Sequence, residues 1–193
     1  MVFFSEIKKY ADENYVPVIR DGSAEVLYNY VKENAPQRIL EIGTAVGYSG
    51  LIMLSAYSAA RLVTLEHKAE YVKIALDNFE KHGAGYRVEV IEGNAGETLL
   101  GLDGKFDFIF MDGPKTKYPV YYETLINLLN TGGVLFVDNV FLGGRVRGET
   151  ATPKGKETIT EGVRKFLETV TADKRLETRV IDAGDGITVS KKL

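Results

Sequence analysis

Five short apolar runs, rich in β-branched and aromatic residues, recur along the chain at 38–43 (RILEIG), 61–66 (RLVTLE), 87–93 (RVEVIEG), 106–112 (FDFIFMD) and 133–138 (GVLFVD). Runs of this length with little polar alternation are the pattern of buried strands in a parallel sheet. Between them lie stretches with helical periodicity, roughly 47–59, 68–82, 95–101 and 118–129, closed by turn signals such as Lys81-His82-Gly83 and Asn130-Thr131-Gly132-Gly133. Strand therefore alternates with helix, which predicts an α/β chain with a doubly wound sheet and helices on both faces.

The rest of the chain extends that plan. Residues 3–14 and 21–35 read as two leading helices, the second opened by Asp21-Gly22-Ser23 as a cap and closed before Pro36. They are expected to cover the active-site end of the sheet. After the fifth run comes a Gly-, Thr- and base-rich loop, FLGGRVRGETATPKGKET, and then a helical stretch over 156–171. The closing segment RLETRVIDAGDGITVSKKL reads as a C-terminal antiparallel hairpin around Ala183-Gly184-Asp185-Gly186. That makes a mostly parallel, seven-stranded sheet in one domain over residues 1–193, with no repeat or linker.

Composition removes several function classes. With 24 Lys and Arg against 27 Asp and Glu, the formal charge of −3 gives no global attraction to nucleic acid or to an anionic membrane. There is no cysteine, so a disulfide framework, a thiolate metal site and a thiol nucleophile are all excluded. Any metal must use oxygen ligands or the two histidines. No run approaches the roughly 20 apolar residues that span a bilayer, so a cytoplasmic protein without a membrane partner is expected.

In open α/β sheets, ligands lie beyond the carboxyl ends of the strands, near the point where strand order reverses. The first, second, fourth and fifth runs end in Glu41, Glu66, Asp112 and Asp138-Asn139. In the usual order 3-2-1-4-5 these acids form a row at about 4.8 Å per strand step, suited to a long ligand lying across the sheet top. The loop from Glu41 to Gly50 (EIGTAVGYSG) lets backbone approach that ligand closely, yet it is neither Gly-x-Gly-x-x-Gly nor a P-loop. An acid directly before the glycines suits an ammonium or a sulfonium, so Glu41 favours S-adenosylmethionine over NAD. Glu66 is placed to accept the ribose hydroxyls of either cofactor. Asn94 and Ala95 are candidates for the adenine amino edge. His67 would flank the ring, or else simply begin the following helix.

Asp112 and the pair Asp138-Asn139 end adjacent strands, so three oxygen ligands can converge, a donor set that suits Mg²⁺. The plainer alternative is that they cap the loops after them. Lys115 follows Asp112 within one turn, and a nearby dication would lower its pKa towards that of a working base.

At this point three ordered motifs resemble a family: Glu-Ile-Gly-Thr-x-x-Gly-Tyr-Ser from Glu41, Met-Asp-x-x-Lys-x-x-Tyr-x-x-Tyr through Asp112, Lys115, Tyr118 and Tyr121, and Val-Asp-Asn-Val through Asp138 and Asn139. The chain is similar from about Val18 to its last strand to the metal-dependent O-methyltransferases of the catechol and caffeoyl-CoA type. The resemblance implies a Rossmann-like methyltransferase fold and a homodimer. It also implies a metal on Asp112, Asp138 and Asn139, Lys115 as base, and a cofactor surrounded by Glu41, Gly43, Ser49, Glu66 and Ala95, with Asp112 facing it as well. Tyr118 and Tyr121 read as core. Gly113-Pro114 departs from the usual small or polar pair, and the N-terminal portion is shorter than in the plant enzymes.

Two vicinal oxygens on one acceptor would be chelated together, and a catechol offers them. So does 5-hydroxyuridine, and the chain also looks like bacterial tRNA hydroxyuridine methyltransferases, so a small phenol and a tRNA both stand as acceptors. Arg145, Arg147, Lys154 and Lys156, with Lys117 nearby, form a basic rim that could hold phosphates of an RNA or of a coenzyme A ester. A non-catalytic cofactor-binding module is disfavoured by the intact Asp112, Lys115, Asp138 and Asn139. An NAD-dependent oxidoreductase is disfavoured by the glycine spacing and the lack of a Tyr-x-x-x-Lys relay.

Overall fold

Strands β1 (Arg38–Ile42), β2 (Arg61–Glu66), β3 (Val88–Glu92), β4 (Phe106–Met111) and β5 (Leu129–Asp138) run parallel, and β6 (Leu176–Ile181) and β7 (Ile187–Lys192) complete one sheet in the order β3-β2-β1-β4-β5-β7-β6. Strand β7 is antiparallel to both β5 and β6, so the C-terminal hairpin is present as expected. This is a computed structural model, and it describes residues 3–193. The chain winds outward from β1 to β3, then crosses back to β4 on the other side of β1, which puts the switch point between β1 and β4.

The central strands β1, β2, β4 and β5 are buried on both faces, which is why their sequences read as continuous apolar runs. Phe108, Phe110 and Phe136 point to one face, while Ile109, Met111, Leu135 and Val137 point to the other. Helices α1 (Ser5–Glu13), α2 (Asp21–Asn34), α3 (Tyr48–Ala56) and α4 (Ala69–Lys81) contribute buried side chains to the first layer. Helices α6 (Tyr118–Leu128) and α7 (Glu157–Ala172) contribute to the second, as does the partly buried Ala95 of the short α5 (Ala95–Thr98). Burying a ring such as Phe110 or Phe136 stabilises by about 2–3 kcal/mol.

Three expectations are corrected. Strand β3 is not buried: Glu89 and Glu92 are exposed and its other residues half-buried, because it is an edge strand with a neighbour on one side only. Strand β5 begins at Leu129 and not at Gly133, since Leu129 already pairs with Phe106 before the register shifts, and Gly132 takes up the irregularity at φ +81°. Ser23 does not cap α2: the cap residue is Arg20, with no side-chain bond, and Ser23 lies inside the first turn, fully buried. Among the described residues no helix is long and apolar enough to cross a membrane.

Candidate active site

A cavity of about 330 Å³ opens at the carboxyl ends of β1, β2, β4 and β5. Its floor is the β1–α3 loop, with Gly43, Thr44 and Ala45, and the first residues of α3, Tyr48 and Ser49. One end is walled by Glu66, His67, Lys68 and Tyr71, the other by Asp112, Gly113, Pro114, Lys115 and Asn139. Pro17, Val18 and Ile19, the linker between α1 and α2, close it from the side. Gly43 makes the junction possible: it sits at φ +101°, and a Cβ there would lie 2.6 Å from the Asp112 carbonyl oxygen. Any other residue would force the β1 and β4 ends apart.

At the first end the Glu66 carboxylate is held from below. One oxygen accepts the Ala45 backbone N–H at 3.0 Å, and the other accepts those of His67 and Lys68, both at 2.9 Å. Three bonds fix the carboxylate, and of its roughly four lone-pair sites one on Oε2 is left for a ligand hydroxyl. The exposed His67 ring stands beside it, Nδ1 3.1 Å from Oε1. Lys68 lies over the Tyr71 ring at 4.5 Å, so these two side chains extend the wall beyond Glu66. Asn94 and Ala95 do not line the cavity. The Asn94 side chain accepts the Gly96 N–H at 2.9 Å and so caps α5, because a short turn after a strand leaves its first amides needing a partner.

Glu41 also stands elsewhere than expected. It is fully buried beneath the loop, outside the cavity wall, and accepts the Ser49 hydroxyl at 2.5 Å and the Thr64 hydroxyl at 2.6 Å. Being one residue short of the end of β1, it points into the sheet interior and not beyond it. Burial pushes its carboxyl up to about 7, against the two hydroxyl bonds that pull it down. A fixed positive charge is therefore not met directly by Glu41 in this arrangement; its link to the cavity is Ser49, which does line it.

At the second end Lys115 Nζ donates to Asp112 Oδ1 and, at 2.6 Å, to the Tyr118 hydroxyl. Tyr118 is wholly buried and donates on to the Asp138 carbonyl oxygen at 2.9 Å. Asp138 is fully buried as well; Oδ1 accepts the Ser23 hydroxyl at 2.9 Å, and Oδ2 has no partner. Burial first, and repulsion from Asp112 second, push the Asp138 carboxyl up to about 6. Asn139, at φ +58°, turns the chain at this point and lines the cavity. Asp112 and Asn139 line the cavity, whereas Asp138 is buried outside its wall; by type, two carboxylates and an amide, with one buried oxygen unanswered, are hard oxygen donors that fit a divalent cation. Among the described residues no three His, Asp or Glu side chains gather to hold a metal, so the Asn139 amide would be needed as the third donor.

The basic rim is not a set of free cations. Arg147 pairs with Glu149 and Asp182, both at 2.9 Å, and lies 3.8 Å over the Phe141 ring. Arg145 donates through Nε to the Leu142 carbonyl at 2.7 Å. Both arginines brace the loop after β5, while Lys117, Lys154 and Lys156 remain exposed.

The profile of the O-methyltransferase family matches residues 3–193, essentially the whole chain. The chain belongs to the O-methyltransferase family. A Mycobacterium marinum relative, provisionally named an O-methyltransferase, is 31% identical over 175 residues, covering 89% of this chain and 76% of that protein. A Staphylococcus aureus structure, provisionally named a caffeoyl-CoA O-methyltransferase, superposes with a TM-score of 0.91 at 26% identity, over 98% of this chain and 91% of that one. A Podospora anserina methyltransferase solved with S-adenosylhomocysteine gives 0.80 at 31% identity, over 89% and 78%. In this O-methyltransferase Tyr118 and Tyr121 are core, as read, and Tyr118 in addition holds Lys115, while Ser23, read as part of a helix cap, holds Asp138 instead. Tyr118 carried a signal, sitting one helical turn after Lys115, whereas nothing in local sequence ties Ser23 to Asp138.

Proposed function

We propose that this O-methyltransferase draws its methyl group from S-adenosylmethionine and delivers it to one of two vicinal oxygens of a small catechol-type acceptor, with a divalent cation, Mg²⁺ by its oxygen ligands, on Asp112, Asp138 and Asn139. One observation carries the reading: a single cavity runs from the anchored Glu66 carboxylate to Asp112, Lys115 and Asn139. The cofactor would lie with its ribose on Glu66 and its methionine end over Gly43 and Ser49, so that its sulfonium faces the Lys115 end. The S-adenosylhomocysteine bound by the Podospora relative supports the cofactor assignment.

When bound, the cation would grip both acceptor oxygens and acidify the hydroxyl to be methylated. The chain's own groups do the rest. Lys115 stands at the cavity wall with its amine oriented by Asp112 and Tyr118, positioned to take the hydroxyl proton. Pro17, Val18, Ile19 and Pro114 supply apolar walls that exclude water and fit a flat ring. The acceptor oxygen then attacks the methyl carbon as the sulfonium leaves as a neutral thioether. Holding both partners in line is the main contribution of such a site.

The internal pairing of Arg147 favours the phenol over an RNA acceptor. Incubating the protein with labelled S-adenosylmethionine and Mg²⁺, with a catechol panel and undermodified tRNA side by side, tests this. Label in catechol products alone is expected; label in tRNA alone would replace the phenol with the hydroxyuridine acceptor. No transfer to either would refute the vicinal-oxygen reading.

A further inference from the structure

The end of β5 is held from two directions by segments far from it in sequence. Ser23, in the first turn of α2, reaches across 115 positions to donate to Asp138 Oδ1. Within a helix a serine gains little, since its hydroxyl competes with the backbone, so a fully buried one is explained by its outside partner. From the other side comes the turn between β6 and β7. Gly184 sits at φ +60°, and a Cβ there would lie 2.1 Å from Ser23 Oγ, so glycine leaves the room that the hydroxyl occupies. The same turn fastens the chain just after Asp138: Val140 N–H donates to Gly186 at 3.0 Å and Phe141 N–H to Asp185 at 2.9 Å.

The result is an asymmetric carboxylate. One oxygen of Asp138 is fixed by Ser23, and the other is buried with no partner. Rotation about the last bond of an aspartate is soft, and besides the Asn139 backbone N–H the Ser23 hydroxyl is the side-chain donor that sets its plane. We propose that Ser23 is a positioning residue for the cation, holding the Asp138 carboxylate so that Oδ2 is presented to it, and that Gly184 keeps the space in which Ser23 does this. The inference rests on the cation reading above.

Titration of the protein with Mn²⁺, followed by the electron paramagnetic resonance of the free ion, tests it, with S-adenosylhomocysteine affinity measured in EDTA alongside. Wild type is expected to bind Mn²⁺ and Asp138→Ala is not. Ser23→Ala should bind Mn²⁺ about 10- to 100-fold more weakly, the usual cost of losing an outer partner of a metal ligand, with unchanged S-adenosylhomocysteine affinity. Gly184→Ala should weaken Mn²⁺ in the same way by displacing the hydroxyl, and it decides the matter should Ser23→Ala fail to fold. Wild-type Mn²⁺ affinity in Ser23→Ala or Gly184→Ala overturns the proposal, and so does a parallel loss of S-adenosylhomocysteine. If Asp138→Ala binds Mn²⁺ as wild type does, it is the cation reading that has failed.

Discussion

Lys115 Nζ lies 2.6 Å from the hydroxyl of Tyr118, whose proton goes to the backbone carbonyl of Asp138 at 2.9 Å. The proposed base is thus tied through a buried phenol to the strand end that carries two of the proposed cation ligands. Lys115→Ala should lower kcat by about 10²-fold or more with S-adenosylhomocysteine affinity nearly unchanged. Tyr118→Phe leaves the amine present but loosely held, and about a tenfold loss in kcat is expected, in line with the sensitivity of in-line transfer to small displacements. Single-turnover rates for the two variants check this, and a Tyr118→Phe enzyme as fast as wild type would return Tyr118 to a purely structural role.

Removing divalent cations should abolish transfer. Asp138 and Asp112 repel each other enough to help raise the Asp138 carboxyl to about 6, and a cation between them would reverse that repulsion. Dialysis against EDTA is expected to reduce the rate to background, and Mg²⁺ to restore it. Full activity in excess EDTA would show that the oxygen cluster serves some other purpose.

The parallel strands and their order were legible because the central strands are nearly continuous apolar runs separated by helical stretches, and the hairpin because a Gly-rich turn divides two β-rich segments. The row of acids was legible from strand ends, but direction within the row was not. Glu41 and Glu66 look alike in sequence, yet Glu41 lies one residue before the end of β1 and turns inward, while Glu66 closes β2 and reaches the cavity. Asn94 was read as a ligand residue because it follows a strand, whereas its side chain satisfies a helix amide. The Ser23–Asp138 bond spans 115 positions, and only tertiary packing brings its ends together.

Glu66→Ala should weaken S-adenosylhomocysteine by about 2 kcal/mol, near 30-fold, the cost of losing a charge-assisted bond to the ribose. The variant also leaves the N–H groups of Ala45, His67 and Lys68 without their acceptor, so its melting temperature should fall as well. Calorimetry showing wild-type affinity would move the ribose elsewhere along the cavity.

Arg147→Ala should act on the loop and not on an acceptor's phosphates. Exposed ion pairs are screened by solvent, so stability should change little, and the catechol KM should stay close to that of wild type. The loop over 143–156 should become more open to proteolysis, having lost its bonds to Glu149 and Asp182 and its packing on Phe141. A salt slope for tRNA binding that flattens by about one unit would instead identify Arg147 as a phosphate contact.

Glu41 makes the fold itself pH-dependent. Its carboxyl is raised to about 7 by burial, against an ordinary value of 4.5 that the unfolded chain would show. Between those two values the folded protein holds a proton that the unfolded chain has released, so stability is fully present below about pH 4.5 and falls as pH rises through 7. The full loss is about 3 kcal/mol at roughly 1.4 kcal/mol per pH unit. Glu41→Gln has the shape of the protonated acid and no charge to lose, so it should lack this contribution, and its stability relative to wild type should rise from pH 4.5 to 7. Urea denaturation of the metal-free proteins at intervals from pH 5 to 8 checks the difference between them, which cancels the contributions of all other groups, Asp138 included. A difference that does not grow with pH would mean that Glu41 is ionised in the fold, its charge carried by the hydroxyls of Ser49 and Thr64.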